Sequence, residues 1–99
     1  MSLSTHVLDL VAGAPVAGQP VHLERKDGPG WAPVAVGSTD ADGRWRTDEV
    51  TPPGVYRWLF PLERHFFPEI TIVFTLDDEP HLHVPLLLSA FGYSTYKGS

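Results

Sequence analysis

Hydrophobic positions recur at every second residue in short runs along this chain, and turn-forming residues close each run. Residues 5–11 alternate, with Val7 and Asp9 on one face and His6, Leu8 and Leu10 on the other. A titratable group on each face suggests that neither side is simply core. Residues 21–25 turn Val21 and Leu23 inward and His22 and Glu24 outward. Residues 31–38, 44–47 and 54–60 read as further strands. Phe66 and Phe67 join residues 70–76 in another, and residues 81–88 and 93–96 make the last two. The intervening stretches carry turn chemistry: Gly13, Pro15 and Gly18 within 12–18, the Gly/Pro loop at 26–30, and Asp42-Gly43 closing 39–43. Loops follow at 48–53 and at the acidic run 77–80. No stretch carries a helical period. The pattern predicts an all-β fold, a two-sheet β-sandwich of about eight strands, in a single domain spanning 1–99.

Composition narrows the partners. At 99 residues, 42 % hydrophobic and 19 % charged, the chain is globular rather than disordered. A net charge of -5 argues against nucleic acid or an anionic membrane as the main partner. Cysteine is absent, which removes disulfides, thiolate nucleophiles and thiolate metal sites. No apolar run reaches the length of a membrane span. The chain runs from Met1 into a strand pattern with no signal-peptide character, so a cytoplasmic protein is expected.

Candidate chemistry concentrates on histidine and arginine. His81 and His83 are two apart and share a strand face, as metal ligands or a catalytic imidazole would. The plainer alternative is an exposed strand face. It is the better reading of His81 and the weaker one for His83, which borders the apolar run 84–88. His6 lies in the first strand and Arg44 follows a turn; taken singly, each is more often a surface group. His22 and His65 look peripheral and receive no role. The aromatic residues lack the basic interleaving of a nucleic-acid platform, and no phosphate loop or nucleophile elbow is present.

Taken together, these residues match a known pattern. Leu3-Ser-Thr-His-Val-Leu-Asp9, Gly13-Ala-Pro-Val-Ala-Gly18, Thr39-Asp-Ala-Asp-Gly-Arg44 and Gly54-Val-Tyr-Arg57 lead into Phe66-Phe-Pro-Glu69. His83-Val-Pro-Leu-Leu-Leu-Ser89 and Gly92-Tyr-Ser-Thr-Tyr-Lys-Gly-Ser99 follow in the same order. The chain resembles the transthyretin-like (prealbumin) family, and within it the 5-hydroxyisourate hydrolase branch, over nearly its whole length. The ending is the most specific part, while the Gly-x-Pro-Val-x-Gly and Thr-Asp-x-x-Gly pieces recur in many accessory domains. The resemblance implies His6, Arg44 and His83 as catalytic residues, and Tyr96, Lys97, Gly98 and Ser99 as a substrate-site tetrapeptide. It also implies a homotetramer of edge-to-edge dimers, with a small-molecule substrate and no metal or organic cofactor.

Two departures stand out. Lys97 replaces the family's usual arginine and loses its planar fork. Only residues 61–65 separate the strand at 54–60 from Phe66, so the helix that relatives carry there is expected to be missing or reduced to a turn. The implied activity is opening of the 5-hydroxyisourate ring at its N1–C6 amide in urate degradation. A histidine would activate water, with His6 favoured as base and His83 as its partner, although the sequence does not assign the two roles. Arg44 would stabilise the oxyanion. A non-enzymatic prealbumin-like carrier or binding module explains the fold equally well but not the histidines, the arginine or the ending. A metal protein using His6, His81 and His83 is a third reading.

Overall fold

The computed structural model describes residues 1–48 and 52–98. Part of the loop expected at 48–53, and Ser99, lie outside the described residues. Among the described residues ten strands run in chain order: β1 (Ser2–Asp9), β2 (Ala14–Pro15), β3 (Pro20–Asp27), β4 (Gly30–Ser38), β5 (Arg44–Thr47), β6 (Gly54–Pro61), β7 (Glu69–Leu76), β8 (His81–His83), β9 (Leu86–Leu88) and β10 (Tyr93–Thr95). They form two sheets. One is antiparallel in the order β4-β3-β6-β7; the other is built around β1. Among the described residues there is no helix, and so none long and apolar enough to cross a membrane.

The strand β1 is the axis of the second sheet. Its first half pairs antiparallel with β5 and parallel with β8, so Ser4 stands between Arg46 and His83, and His6 opposite Arg44. Its second half pairs with β2 and β9. The handover from β5 to β2 occurs at Val7, whose N–H donates to Gly43 O (2.8 Å) and whose carbonyl accepts from Val16 N (2.9 Å). Gly43 has φ +76°, and a β-carbon there would sit 2.6 Å from Val7 O, so only glycine fits this turn.

Alternation sorts β1 cleanly. Leu3, Thr5 and Val7 are fully buried, while Ser4 and His6 on the opposite face are half-buried. The inner face is therefore core, contrary to the expectation that neither side would be. Leu3 and Val7 meet Val21 and Leu23 of β3 and Tyr56, Trp58 and Phe60 of β6 in one apolar cluster. Trp45 bridges the sheets: its ring meets Trp58 edge-on at 5.8 Å and occupies the space that a side chain at Gly37 would need.

Several details differ from the sequence reading, among them the first strand, expected at 5–11 and found at Ser2–Asp9. The expected strand 81–88 is interrupted at Val84 and Pro85, because proline offers no N–H to the ladder. The register against β1 is the same on both sides of that gap. Ala14–Pro15, expected as turn, pairs with β1 as a short strand, which brings the total to ten rather than about eight. Phe66 and Phe67 lie outside β7, in a bent connection. That connection has no helix, as expected. Leu62 N donates to Pro68 O (2.8 Å), and His65 Nε2 donates to Ser89 O (2.8 Å) while Nδ1 accepts from Phe67 N (3.0 Å). His65 thus ties the short connection to the end of β9.

Candidate active site

Strand period and register together define a polar face. Ser2, Ser4 and His6 alternate with the buried residues of β1, Arg44 and Arg46 with Trp45 on β5, and His81 and His83 with Leu82 on β8. Pairing aligns them into two adjoining rows: Arg44 beside His6, and Arg46, Ser4 and His83 across the next position. The structure thus brings His6, Arg44 and His83 onto one face of one sheet. A cleft of about 400 Å³ opens on this face over Ser4, Thr5, Asp40, Arg44, Trp45, Arg46 and His81. His6 and His83 belong to the face through the register rather than through the walls of that cleft.

The turn before β5 fixes His6 and Arg44 together. Asp40 Oδ1 accepts N–H bonds from Asp42 (2.9 Å) and Arg44 (3.0 Å). The backbone N–H of Arg44, then that of Asp42, holds the exposed Asp40 carboxyl below its ordinary pKa, with the Arg44 and His6 charges assisting. Within the same turn, Asp42 O accepts from His6 Nε2 at 2.8 Å. In its neutral form His6 therefore keeps Nδ1 as the bare nitrogen.

His83 is held from two sides. Its Nδ1 lies 2.7 Å from Ser4 Oγ. On the other side Gly98 N donates to His83 O at 2.7 Å, in an isolated antiparallel bridge. A β-carbon at Gly98 would come within 2.7 Å of His83 Cδ2, so the glycine leaves room for the ring. Partial burial lowers the pKa of His83 below its ordinary value, and the charges of Arg44, His6 and His81 lower it further. The ring is kept neutral to lower pH than a free histidine.

The other candidates are placed differently. Tyr96 and Lys97 lie with Thr95, Val84 and residues of β7 around a shallow recess of about 190 Å³. Lys97 Nζ pairs with Glu79 Oε2 at 3.3 Å. Of the described tail residues, Gly98 alone bridges to His83. His81 is exposed, as read from sequence, and in addition hydrogen-bonds Ser2 Oγ through Nδ1 (2.6 Å) and Ser4 Oγ through Nε2 (3.0 Å). Ser2 and Ser4 were not singled out from the sequence, although their spacing from His6 puts them on its face. Among the described residues no group of histidines and carboxylates is arranged to hold a metal ion.

Two packed sheets with a histidine–arginine face on the outside of one of them define a prealbumin-type sandwich with a polar surface site. A sequence profile of the HIUase/Transthyretin family matches residues 3–98, and the chain belongs to that family. It is 42 % identical over 109 residues to the 5-hydroxyisourate hydrolase of Salmonella typhimurium, covering 98 % of this chain and 80 % of the relative. To the 5-hydroxyisourate hydrolase of Mus musculus it is 38 % identical over 111 residues, covering 98 % and 94 %. The backbone is similar to that of Klebsiella pneumoniae 5-hydroxyisourate hydrolase (TM-score 0.85, 31 % identity, 99 % of this chain and 98 % of that one). It is equally similar to sea bream transthyretin in complex with thyroxine (TM-score 0.86, 31 % identity, 97 % and 93 %).

Proposed function

We propose that this protein hydrolyses 5-hydroxyisourate to 2-oxo-4-hydroxy-4-carboxy-5-ureidoimidazoline in urate degradation. The observation that carries the reading is the alignment of Arg44, His6 and His83 on one polar face by strand register. The fold alone does not separate an enzyme from a carrier, since the backbone fits a hydrolase and a transthyretin equally well. The chemistry of the face favours the enzyme.

Water attacks C6 of the substrate, the N1–C6 bond breaks, N1 takes up a proton, and C6 leaves as a carboxylate. A neutral imidazole takes the water proton, and a fixed cation meets the charge that develops on the C6 oxygen. His83, with its lowered pKa and partial burial, suits the base. His6, anchored on Asp42 O, positions the water or substrate from the neighbouring row. The assignment thus moves the base from His6, favoured on sequence, to His83. Arg44 stands opposite His6 and supplies the cation. Gly98 closes the site against His83, and the family resemblance is what supports Tyr96, Lys97 and Ser99 as substrate contacts, since Tyr96 and Lys97 line a separate recess beside β7.

Residues 1–99 act as one domain; the Cα radius of gyration of 13.0 Å agrees with the value of about 13 Å for a compact 100-residue domain. The protein works in the cytoplasm as a homotetramer built from edge-to-edge dimers. Support for assembly comes from the free outer edges of β7 and β10 and from the exposed Phe66, Phe91 and Tyr93 beside them. Single replacement of His6, Arg44 and His83 by alanine tests the site. The expected result is folded protein with hydrolysis of 5-hydroxyisourate reduced by at least about 10²-fold in each; wild-type turnover in all three would refute the assignment.

A further inference from the structure

Three residues that the mechanism above does not use, Ser2, His81 and Ser4, are joined to His83 by continuous hydrogen bonds. Ser2 Oγ lies 3.3 Å from Pro80 O and 2.6 Å from His81 Nδ1. His81 Nε2 lies 3.0 Å from Ser4 Oγ, which in turn lies 2.7 Å from His83 Nδ1. The order is Pro80 carbonyl, Ser2, His81, Ser4, His83. It crosses between β1 and β8, whose parallel register sets Ser2 against His81 and Ser4 against His83.

Proton counting fixes the direction of this chain. A hydroxyl carries one proton, a neutral imidazole carries one, and a carbonyl can only accept. With both imidazoles neutral, all the contacts are satisfied together only if Ser2 donates to Pro80 O and accepts from His81 Nδ1–H. The bare Nε2 of His81 then accepts from the Ser4 hydroxyl, and Ser4 Oγ accepts from His83 Nδ1–H. The opposite direction, starting with Ser2 donating to His81, leaves the Ser2 hydroxyl contact to Pro80 unmade. The favoured direction leaves His83 Nε2 bare.

We propose that Ser4 and His81 are positioning residues of the hydrolytic site, forming a relay that locks His83 in the Nδ1–H tautomer and reserves Nε2 as the proton acceptor. The inference rests on the hydrolase reading of this face and deepens it. When His83 takes a proton from water on Nε2, the imidazolium donates through Nδ1 to an oxygen already oriented to receive it. His81 orients Ser4, and the Pro80 carbonyl anchors the far end through Ser2. Histidine function depends on which ring nitrogen is protonated, and that is set by the bond the other nitrogen makes.

The test pairs a spectroscopic signature with kinetics on the full chain. Nitrogen-15 NMR of the histidine rings in the wild-type protein is expected to show His83 with a protonated Nδ1 and a bare Nε2. In Ser4→Ala that preference collapses into a mixture of tautomers. Turnover of 5-hydroxyisourate falls by roughly ten- to a hundredfold in kcat, below the full contribution of a general base, with KM within about twofold. Ser4→Thr, which restores the hydroxyl, recovers both readouts. His81→Leu, at an exposed position, gives a smaller loss in the same direction and serves as the second variant. A wild-type His83 protonated on Nε2, or a Ser4→Ala protein with unchanged tautomer and kcat, overturns the relay. The NMR readout needs no substrate. The expected tautomer in a protein without hydrolase activity would uphold the relay and sink the hydrolase reading, whereas activity with the wrong tautomer would do the reverse.

Discussion

Gly98→Ala probes how the chain end positions His83. The amide of Gly98 donates to His83 O at 2.7 Å. A β-carbon built there would lie 2.7 Å from His83 Cδ2 and 3.1 Å from both its Cβ and its carbonyl oxygen. Carbon atoms in contact rest about 3.5–4.0 Å apart, so alanine must open the gap to the ring by roughly 0.8 Å. Neither side yields freely. The ring is held by Ser4 at Nδ1, and the tail by its backbone bridge. Turning the ring moves Nε2, and lifting the tail unseals the site. A misplacement of about 1 Å at a reacting group can cost on the order of 10²-fold. Gly98→Ala is therefore expected to lower kcat/KM by about ten- to a hundredfold, or roughly 1.4–2.7 kcal/mol of transition-state stabilisation. The melting temperature should stay within a few degrees, because residues 93–97 are all exposed and contribute little to the core. Steady-state kinetics with substrate generated in place by urate oxidase, together with a thermal melt, reads both. Wild-type kcat/KM in Gly98→Ala would refute the reasoning that this close packing positions His83.

Further outcomes follow from other contacts. Gly43→Ala forces a side chain into a left-handed turn 2.6 Å from Val7 O and is expected to destabilise by more than about 1 kcal/mol, read by urea titration; unchanged stability would contradict the strained-turn account. Thr39→Val removes a buried hydroxyl that donates to Val16 O (2.6 Å) and accepts from Gln19 N (2.9 Å), with an expected cost of about 1–3 kcal/mol seen as a lower melting temperature. Since burial and then the neighbouring charges lower the folded pKa of His83, the unfolded chain binds more protons as pH drops past about 6.5. The contribution of His83 to stability is thus complete above that pH and declines below it, toward the folded value. NMR titration of His83 should give a midpoint below about 6.5 that rises in Arg44→Met; a midpoint at or above the ordinary value would contradict the electrostatics.

Much of this architecture is written in local pattern. Alternation in β3 marked the buried Val21 and Leu23, and the short residue count after Phe60 marked the missing helix, whereas the titratable groups on both faces of β1 hid the burial of Val7. The resemblance of short motifs carried His6, Arg44 and His83, whose proximity arises from pairing between strands far apart in sequence. Where pattern failed, tertiary pairing was the cause. Pro85 breaks the ladder within an apolar run that reads as continuous, and β1 recruits Ala14–Pro15 from a segment with turn composition. Ser4 escaped notice because the first strand was read from residue 5, and a serine carries no signal until β8 brings two histidines to it. His81 was discounted for the same reason.

The most direct measurement follows the decay of 5-hydroxyisourate generated in place by urate oxidase, with and without the wild-type protein, while identifying the ring-opened product. The account predicts decay well above the spontaneous rate, in proportion to protein concentration, with that acceleration absent in His83→Ala. Decay at the spontaneous rate in the presence of folded protein would contradict it and leave the sandwich as a binding module.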